Sequence, residues 1–346
     1  MRILIATDAW HPQVNGVVRT LEATCEVVRE LGHTVEVVAP GEGFRTVGLP
    51  TYPDIRVALW PRGEVARRIR AFAPDAVHIA TEGPLGWAAR GDCLRRGQAF
   101  TTSYHTRFPE YVRARAPVPT ALTYALMRRF HRPADRTLVT TPSMKRLLAA
   151  KGFRNLAVWS RGVDLRRFRP GLRGADGGVF RGLPRPVWLS VGRVAVEKNL
   201  PAFLALDLPG TKVVVGDGPA RAALARRFPD AVFRGARLGE DLARHFADAD
   251  VFVFPSRTDT FGLVLIEAMA SGTPVAAYPV SGPVDIVPGS GAGVLDADLR
   301  AAALRALDLS RAAARASAER YSWQAVGERF LRLLTPARFA LPPRRP

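Results

Sequence analysis

Apolar and polar positions come in blocks along this chain, and the blocks change period in a regular way. RILIATD (2–8) is a short apolar run that ends in polar residues. After a loop, GVVRTLEATCEVVRELG (16–32) carries apolar residues at helical spacing and closes on Gly32, a helix C-cap. TVEVVAP (34–40), DAVHIAT (75–81), AFTTSYH (99–105) and TLVTT (137–141) read as further strands, with helical patterns over 63–72, 117–130 and 143–151. Strands alternating with helices make a parallel sheet with helices on both faces.

The rhythm breaks at RPGLRGADGGVFRGLPRP (169–186), which is rich in Gly, Pro and Arg and has no period. This segment reads as an interdomain linker. A second series then starts, with strands at 186–192, 211–219, 231–235, 250–256 and 274–278 and helices at 199–206, 219–228, 239–248 and 263–271. The expected organisation is a domain over 1–168, the linker 169–186, a second domain over 187–320, and a tail 321–346. In that tail a helix from about Ser322 to Leu334 is expected to cross back to the first domain. The fold class is α/β, two doubly wound domains in tandem facing a cleft.

Composition narrows the function. The 346 residues are 47% hydrophobic and 23% charged, enough to bury two cores and too apolar for a disordered chain. No stretch approaches the ~20 apolar residues of a membrane span, and the opening apolar run stops at Asp8, too short for a signal peptide. Cys25 and Cys93 have no metal-type or redox-type neighbours, so a disulfide framework and a Cys-ligated zinc site are out and a reducing cytoplasm is expected; no metal and no cofactor are expected either. The charge is +19, and 46 of the 50 basic residues are arginines. Residues 1–170 hold 27 basic and 14 acidic side chains, whereas 171–346 hold 23 and 17. The first half is therefore expected to be drawn to something anionic.

In open parallel sheets ligands gather at the carboxyl ends of strands. Four constellations lie there. Gly192-Arg193 and Lys198-Asn199 follow a strand and precede a helix; Arg193 suits a bidentate phosphate contact and Lys198 adds a point charge, unless the loop is an ordinary charged surface. Asp259-Thr260-Phe261-Gly262 leads into the apolar helix Leu263-Val264-Leu265-Ile266-Glu267, where a buried Glu267 needs a partner and the helix start is a natural anion site. The plain alternative there is an N-cap at Thr258 or Thr260 with an exposed glutamate. Asn15-Gly16 opens the first helix and is either a phosphate turn or a simple helix start. Ser103-Tyr104-His105-Thr106 ends an inner strand, and His105 is either a ligand contact or a satisfied core histidine. Gly216-Asp217-Gly218 is a lone GxG that lacks the rest of a dinucleotide fingerprint. Seven arginines over 107–136, among them Arg107, Arg128 and Arg129, face only Glu110 and Asp135, and the helix 120–130 pairs an apolar face with Arg128 and Arg129, as a helix lying on an anionic bilayer would. A solvated or interdomain arginine-rich helix is the alternative.

Taken together, VGR-x4-KN, GDGP and PS-x2-DTFGLVLIEAMASGTPVAA resemble the family-4 glycosyltransferases, whose fold is GT-B, and RILIATDAWHPQVNGVVRTL and SYHT resemble the acceptor-side domain of that family. The resemblance runs from Ile3 to about Trp323 and, through the TDTFG form, looks closest to bacterial lipid mannosyl- and sulfoquinovosyltransferases. It implies retaining, metal-independent transfer of a hexose from a nucleotide-diphosphate sugar, GDP-mannose or a UDP-hexose, to a lipid or glycolipid at the inner face of the cytoplasmic membrane.

Residue by residue, the resemblance implies that Arg193 and Lys198 hold the diphosphate and Glu267 the ribose. Asp259 with Thr260, Phe261, Gly262 and Leu263 would meet the sugar and phosphate, Gly216 and Leu238 would line the donor site, and Gly16 would touch the phosphate. His105 would sit beside the anomeric carbon. Tyr104, Arg107, Arg128 and Arg129 are expected on the acceptor or membrane side. Asp259 stands where many family members carry Glu, and the shorter acid reaches less far. A nucleic-acid-binding protein is a poorer fit, because no aromatic-basic motif accompanies the charge, and a GT-B epimerase would need further acid–base groups.

Overall fold

A computed structural model describes every residue except Val14, Glu42, Pro50, Thr51, Ala116, Thr260, Ser290 and 337–346. The chain forms two units: the first is built from Met1–Arg113, Pro117–Ser160 and the helix that begins at Trp323, the second from Arg161–Ser322.

The first unit runs β1 (Arg2–Ala6), α1 (Gly16–Glu30), β2 (Thr34–Val38), β3 (Arg45–Leu49), β4 (Tyr52–Leu59), α2 (Arg62–Phe72) and β5 (Ala76–Ile79). It continues with α3 (Pro84–Arg95), β6 (Thr101–Tyr104), α4 (Phe108–Arg115), α5 (Thr120–His131), β7 (Arg136–Val139), α6 (Pro142–Ala150) and β8 (Leu156–Val158). The sheet order is β2-β1-β5-β6-β7-β8, parallel throughout, with β3 and β4 as a separate antiparallel hairpin. Strands buried on both faces read as continuous apolar runs, and Ile3, Leu4, Ile5 and Ala6 are all at most 1% exposed.

The second unit runs β9 (Val187–Val191), α7 (Leu200–Leu204), β10 (Thr211–Val215), α8 (Arg221–Arg227), β11 (Val232–Gly235), α9 (Gly239–Asp248), β12 (Val251–Phe254) and α10 (Leu263–Ala270). There follow β13 (Val275–Ala277), α11 (Pro283–Ile286), β14 (Gly293–Leu295), α12 (Leu299–Ala306) and α13 (Arg311–Ala318). Its parallel sheet has the order β11-β10-β9-β12-β13-β14. The last helix, α14 (Trp323–Leu333), belongs to the first unit and lies against α1; a side chain at Gly327 would meet Val27 at 2.4 Å, so only Gly lets the two helices touch there. The Trp159 indole donates to the Val326 carbonyl (3.2 Å).

Several expectations need correcting. The segment 169–186 is not a linker. The units divide between Ser160 and Arg161, and the segment folds into 3-10 turns at Pro170–Leu172 and Gly178–Phe180 that pack into the second unit. The buried carboxylate of Asp248 accepts from the N–H groups of Gly174 (2.7 Å) and Val179 (2.8 Å), and Phe180 is 1% exposed. A carboxylate supplies the hydrogen bonds here, so the sequence shows no period. The pattern read as a helix over 117–130 is α5, which starts only at Thr120, after Pro117 and Pro119; α4, ahead of it, was not expected. Helix α3, the β3–β4 hairpin and strands β8 and β14 went unrecognised; α3 is interrupted by Gly86 and Gly91, which weaken its helical pattern.

Candidate functional site

The order of the second sheet reverses direction between β9 and β12, whose next connections run to opposite sides, and such a switch leaves a crevice at the strands' carboxyl ends. The loops after these strands carry the predicted chemistry. Gly192 donates its N–H to Val215 (3.0 Å), and Val194 to Asp217 (2.8 Å), so the loop after β9 is pinned to the loop after β10. That seam requires Gly216: at φ +143° a Cβ there would lie 1.9 Å from the Gly192 carbonyl oxygen. Residues Val196–Lys198 form a 3-10 turn and Asn199 takes a left-handed conformation (φ 51°). The Asn199 amide donates to the Pro255 carbonyl (3.1 Å), while the hydroxyls of Ser256 and Thr258 donate to the Glu197 carbonyl (3.4 and 3.3 Å).

These bonds tie the loop after β9 to the loop after β12 and deliver Lys198 to Asp259, Nζ to Oδ1 at 2.6 Å. Both side chains are mostly buried, and Arg193 is half-buried in the same loop. The second carboxylate oxygen of Asp259 is buried with no partner among the described residues. Gly262 (φ +89°) opens α10 with no side-chain cap among the described residues, and the first-turn N–H groups point out of the helix end. The rest of α10 is core: Leu265, Ile266, Ala268, Met269 and Ala270 are fully buried, and Glu267 is 6% exposed. Phe261 is buried edge-on against Tyr321, so its ring belongs to the core and only its backbone is offered. Leu263 is half-buried at the helix start, and Leu238 is 57% exposed ahead of α9. Thr260 lies outside the described residues.

The first sheet switches between β1 and β5. Gly16 begins α1, where the Asn15 side chain accepts from the N–H groups of Val17 (2.9 Å) and Val18 (3.1 Å). The residue that sequence reading missed is Asp8. Its carboxylate accepts from Leu85 N–H (2.9 Å), Gly86 N–H (3.3 Å) and the Thr81 hydroxyl (2.9 Å), and so caps α3 from the loop after β1. A side chain on Gly83 would collide with it at 2.4 Å. Burial raises the Asp8 carboxyl above its ordinary value, against the lowering effect of those hydrogen bonds. The signal was present: Asp8 is the first acid after β1. Only the fold shows that it meets α3.

His105 follows β6, is 7% exposed and packs edge-on against Trp159 at 6.0 Å. Two of the residues expected on the acceptor or membrane side are turned inward. Tyr104 is fully buried among His131 and Phe153, and burial pushes its phenol far above the usual range. Arg107 is turned inward onto Glu110 (2.7 Å), which also accepts from Tyr124 (2.7 Å); burial and then that bond push the Tyr124 phenol up to about 12. Arg128 is half-buried and donates to the Lys151 carbonyl (3.0 Å), and Arg129 is exposed. Among the described residues no helix is long and apolar enough to cross a membrane.

Comparison with known proteins agrees with this layout. The family model Glycosyltransferase Family 4 matches residues 14–167, and Glycosyl transferases group 1 matches residues 185–311. A GDP-mannose-dependent alpha-mannosyltransferase of Mycobacterium tuberculosis is 34% identical over 322 residues, 85% of this chain and 83% of that protein. The sulfoquinovosyl transferase SQD2 of Arabidopsis thaliana is 32% identical over 80% of this chain and 59% of its own length. The alpha-monoglucosyldiacylglycerol synthase of Streptococcus pneumoniae is 27% identical over 80% and 71%. Among solved structures, sucrose-phosphate synthase from Thermosynechococcus elongatus superposes with a TM-score of 0.75 at 20% identity, covering 96% of this chain and 98% of that one. Anabaena HepE in complex with UDP and glucose gives 0.70 at 15% identity, covering 95% and 98%.

Proposed function

The chain belongs to the family-4 glycosyltransferases, and from that premise we propose that it transfers a hexose from a nucleotide-diphosphate sugar, GDP-mannose first and a UDP-hexose second, to a lipid or glycolipid acceptor, keeping the anomeric configuration and using no metal ion. The observation that carries this reading is the convergence at the second switch point. The loops after β9 and β12 bring Arg193, Lys198 and the start of α10 to one crevice. Two cations and free backbone N–H groups are what a departing diphosphate needs. The GDP-mannose-dependent relatives favour mannose, and the diacylglycerol glycoside synthase among the relatives favours a lipid acceptor.

In this mechanism the bond between the anomeric carbon and the diphosphate oxygen breaks as negative charge builds on the phosphate, and Arg193, Lys198 and the α10 N–H groups stabilise that charge. The acceptor oxygen bonds the same carbon on the same face, and its proton passes to a phosphate oxygen. Glu267, buried close to the crevice, accepts from the ribose hydroxyls. Asp259 orients Lys198 and meets a sugar hydroxyl. In the first unit, Gly16 and His105 follow the carboxyl ends of β1 and β6, the edge at which an open parallel sheet meets its ligand.

Membrane association enters through α5. Leu122 (65% exposed) and Leu126 (46% exposed) stand one turn apart on its outer side, followed at helical spacing by Arg129. The chain therefore works as a peripheral protein on the inner face of the cytoplasmic membrane.

The test is incubation with GDP-mannose or UDP-glucose, with and without EDTA, on vesicles doped with diacylglycerol or a glycosyl-diacylglycerol. The anomeric proton of the product is then read by NMR. An α-linked product whose yield is unchanged by EDTA is expected. A β-linked product, or turnover that stops when divalent ions are chelated, overturns the mechanism.

A further inference from the structure

The first unit carries a second cationic feature that the donor chemistry does not use. A cavity of about 690 Å³ opens among α3, the end of α5 and the turn between α6 and β8. Its wall holds Arg90, Arg128, Arg129, Arg132 and Arg154, together with the buried His131, and no carboxylate lines it. Elsewhere in the chain arginines commonly sit on acids, as Arg67 on Glu64 or Arg185 on Asp250. Among the described residues none of these five does. Arg90 spends two donors on the carbonyls of Phe130 and Arg129 (2.9 Å each) and Arg128 one on Lys151, which fixes their guanidinium groups at the wall and leaves further N–H donors on each. Burial, and then the charge of Arg129, holds Arg90 below its ordinary pKa.

The place of the cavity matters. The turns that supply Arg132 and Arg154 lead directly into β7 and β8, at the amino edge of the sheet, and the Asn155 amide donates across them to the Ala134 carbonyl (3.2 Å). Gly16 and His105 instead follow the carboxyl ends of β1 and β6. The nearest acid is Glu82, which is engaged by His131 (Nε2 to Oε1, 3.1 Å); no described acid pairs with the five guanidinium groups, so an anion that joins them is favoured. Their planar forks match the paired oxygens of a phosphate, and several forks around one cavity can share its oxygens.

We propose that this cavity is a phosphate-binding site, distinct from the donor diphosphate site, which takes a phosphate mono- or diester through Arg129, Arg132 and Arg154. The phosphate reaches it either as a free phosphate ester or as the headgroup of an anionic phospholipid. The site stands on the first unit alone and does not depend on the transferase reading.

The test uses the full chain and four proteins: the natural sequence, the triple variant Arg129→Gln/Arg132→Gln/Arg154→Gln, the double variant Arg132→Gln/Arg154→Gln, and Arg193→Ala, which removes the donor contact. All three substituted arginines of the triple variant are exposed, so its fold is expected to survive; an unchanged melting temperature without ligand and unchanged GDP binding verify that. Each protein is titrated with inorganic phosphate, read as a rise in melting temperature, and with vesicles of phosphatidylcholine with and without phosphatidylglycerol, read by cosedimentation. The natural sequence and Arg193→Ala are expected to respond alike, and the triple variant to lose affinity by roughly tenfold or more. A response to phosphate but not to anionic vesicles supports the site with a soluble ester as its ligand. A vesicle response that Arg132→Gln/Arg154→Gln alone removes supports it with a lipid headgroup, because neither residue belongs to α5; a loss that needs Arg129→Gln overturns the headgroup as its ligand. A triple variant that responds to both probes as the natural sequence does, or a natural sequence that responds to neither, overturns it.

Discussion

Both six-stranded sheets carry a topological switch, between β1 and β5 in one unit and between β9 and β12 in the other, yet the two crevices are furnished in opposite ways. In the first unit the helix that starts at the switch, α3, has its N–H groups taken by the Asp8 carboxylate of the loop after β1. The local anion site is filled by the chain itself. In the second unit the helix that starts at the switch, α10, has no side-chain cap among the described residues, and a lysine and an arginine stand on the adjoining loop. The same architecture thus yields one closed and one open anion site. The choice turns on whether the loop after the first strand holds an acid or a base.

The largest effect tests the open site. Arg193→Ala should lower kcat/KM by ~10²–10³, the usual loss for one donor to a developing anion, with the melting temperature unchanged. Near-normal turnover in that variant would erase the contrast. Next comes the closed site: Asp8→Ala leaves the N–H groups of Leu85 and Gly86 unsatisfied and should cost roughly 1–3 kcal/mol of stability, read by urea denaturation. If Asp8→Ala instead removed transfer at full stability, the first switch point would be a ligand site after all. Gly216→Ala probes the seam that holds the second crevice open. Its Cβ would press on the Gly192 carbonyl, so a stability loss of about 1–3 kcal/mol with weaker GDP binding is expected.

The smallest effect is a pH dependence of the second unit. His245 in α9 packs on Phe180 (5.4 Å), donates from Nδ1 to the Asp241 carbonyl, and is held below its ordinary pKa by burial, with Arg237 and Arg234 acting in the same sense and Asp241 against them. The unfolded chain therefore takes up a proton first as pH falls through ~6.5. Stability is full above that pH and declines below it. His245→Gln should flatten this decline in denaturation curves between pH 7 and 5.

Much of this was legible in the chain itself. Five of the six strands in each sheet, the Arg193–Lys198 loop and the Asp259–Glu267 segment stand out because each depends on neighbours a few residues away: a period, a glycine, a charge after an apolar run. Glu267 in an apolar helix announced its burial for the same reason. What sequence order hides is whatever joins distant segments. That Lys198 meets Asp259, that Asp8 caps α3 and that Asp248 satisfies the turns of 169–186 are pairings across 61 to 77 residues. No local pattern encodes them. The inward turn of Tyr104 and Arg107 belongs with these, because a side chain's burial is set by what packs over it. Local periodicity determined the elements and the kinds of residue at their ends; which of those ends stayed open and which was sealed was decided by tertiary contacts, since a buried carboxylate and a helix start find each other only once the sheet has formed.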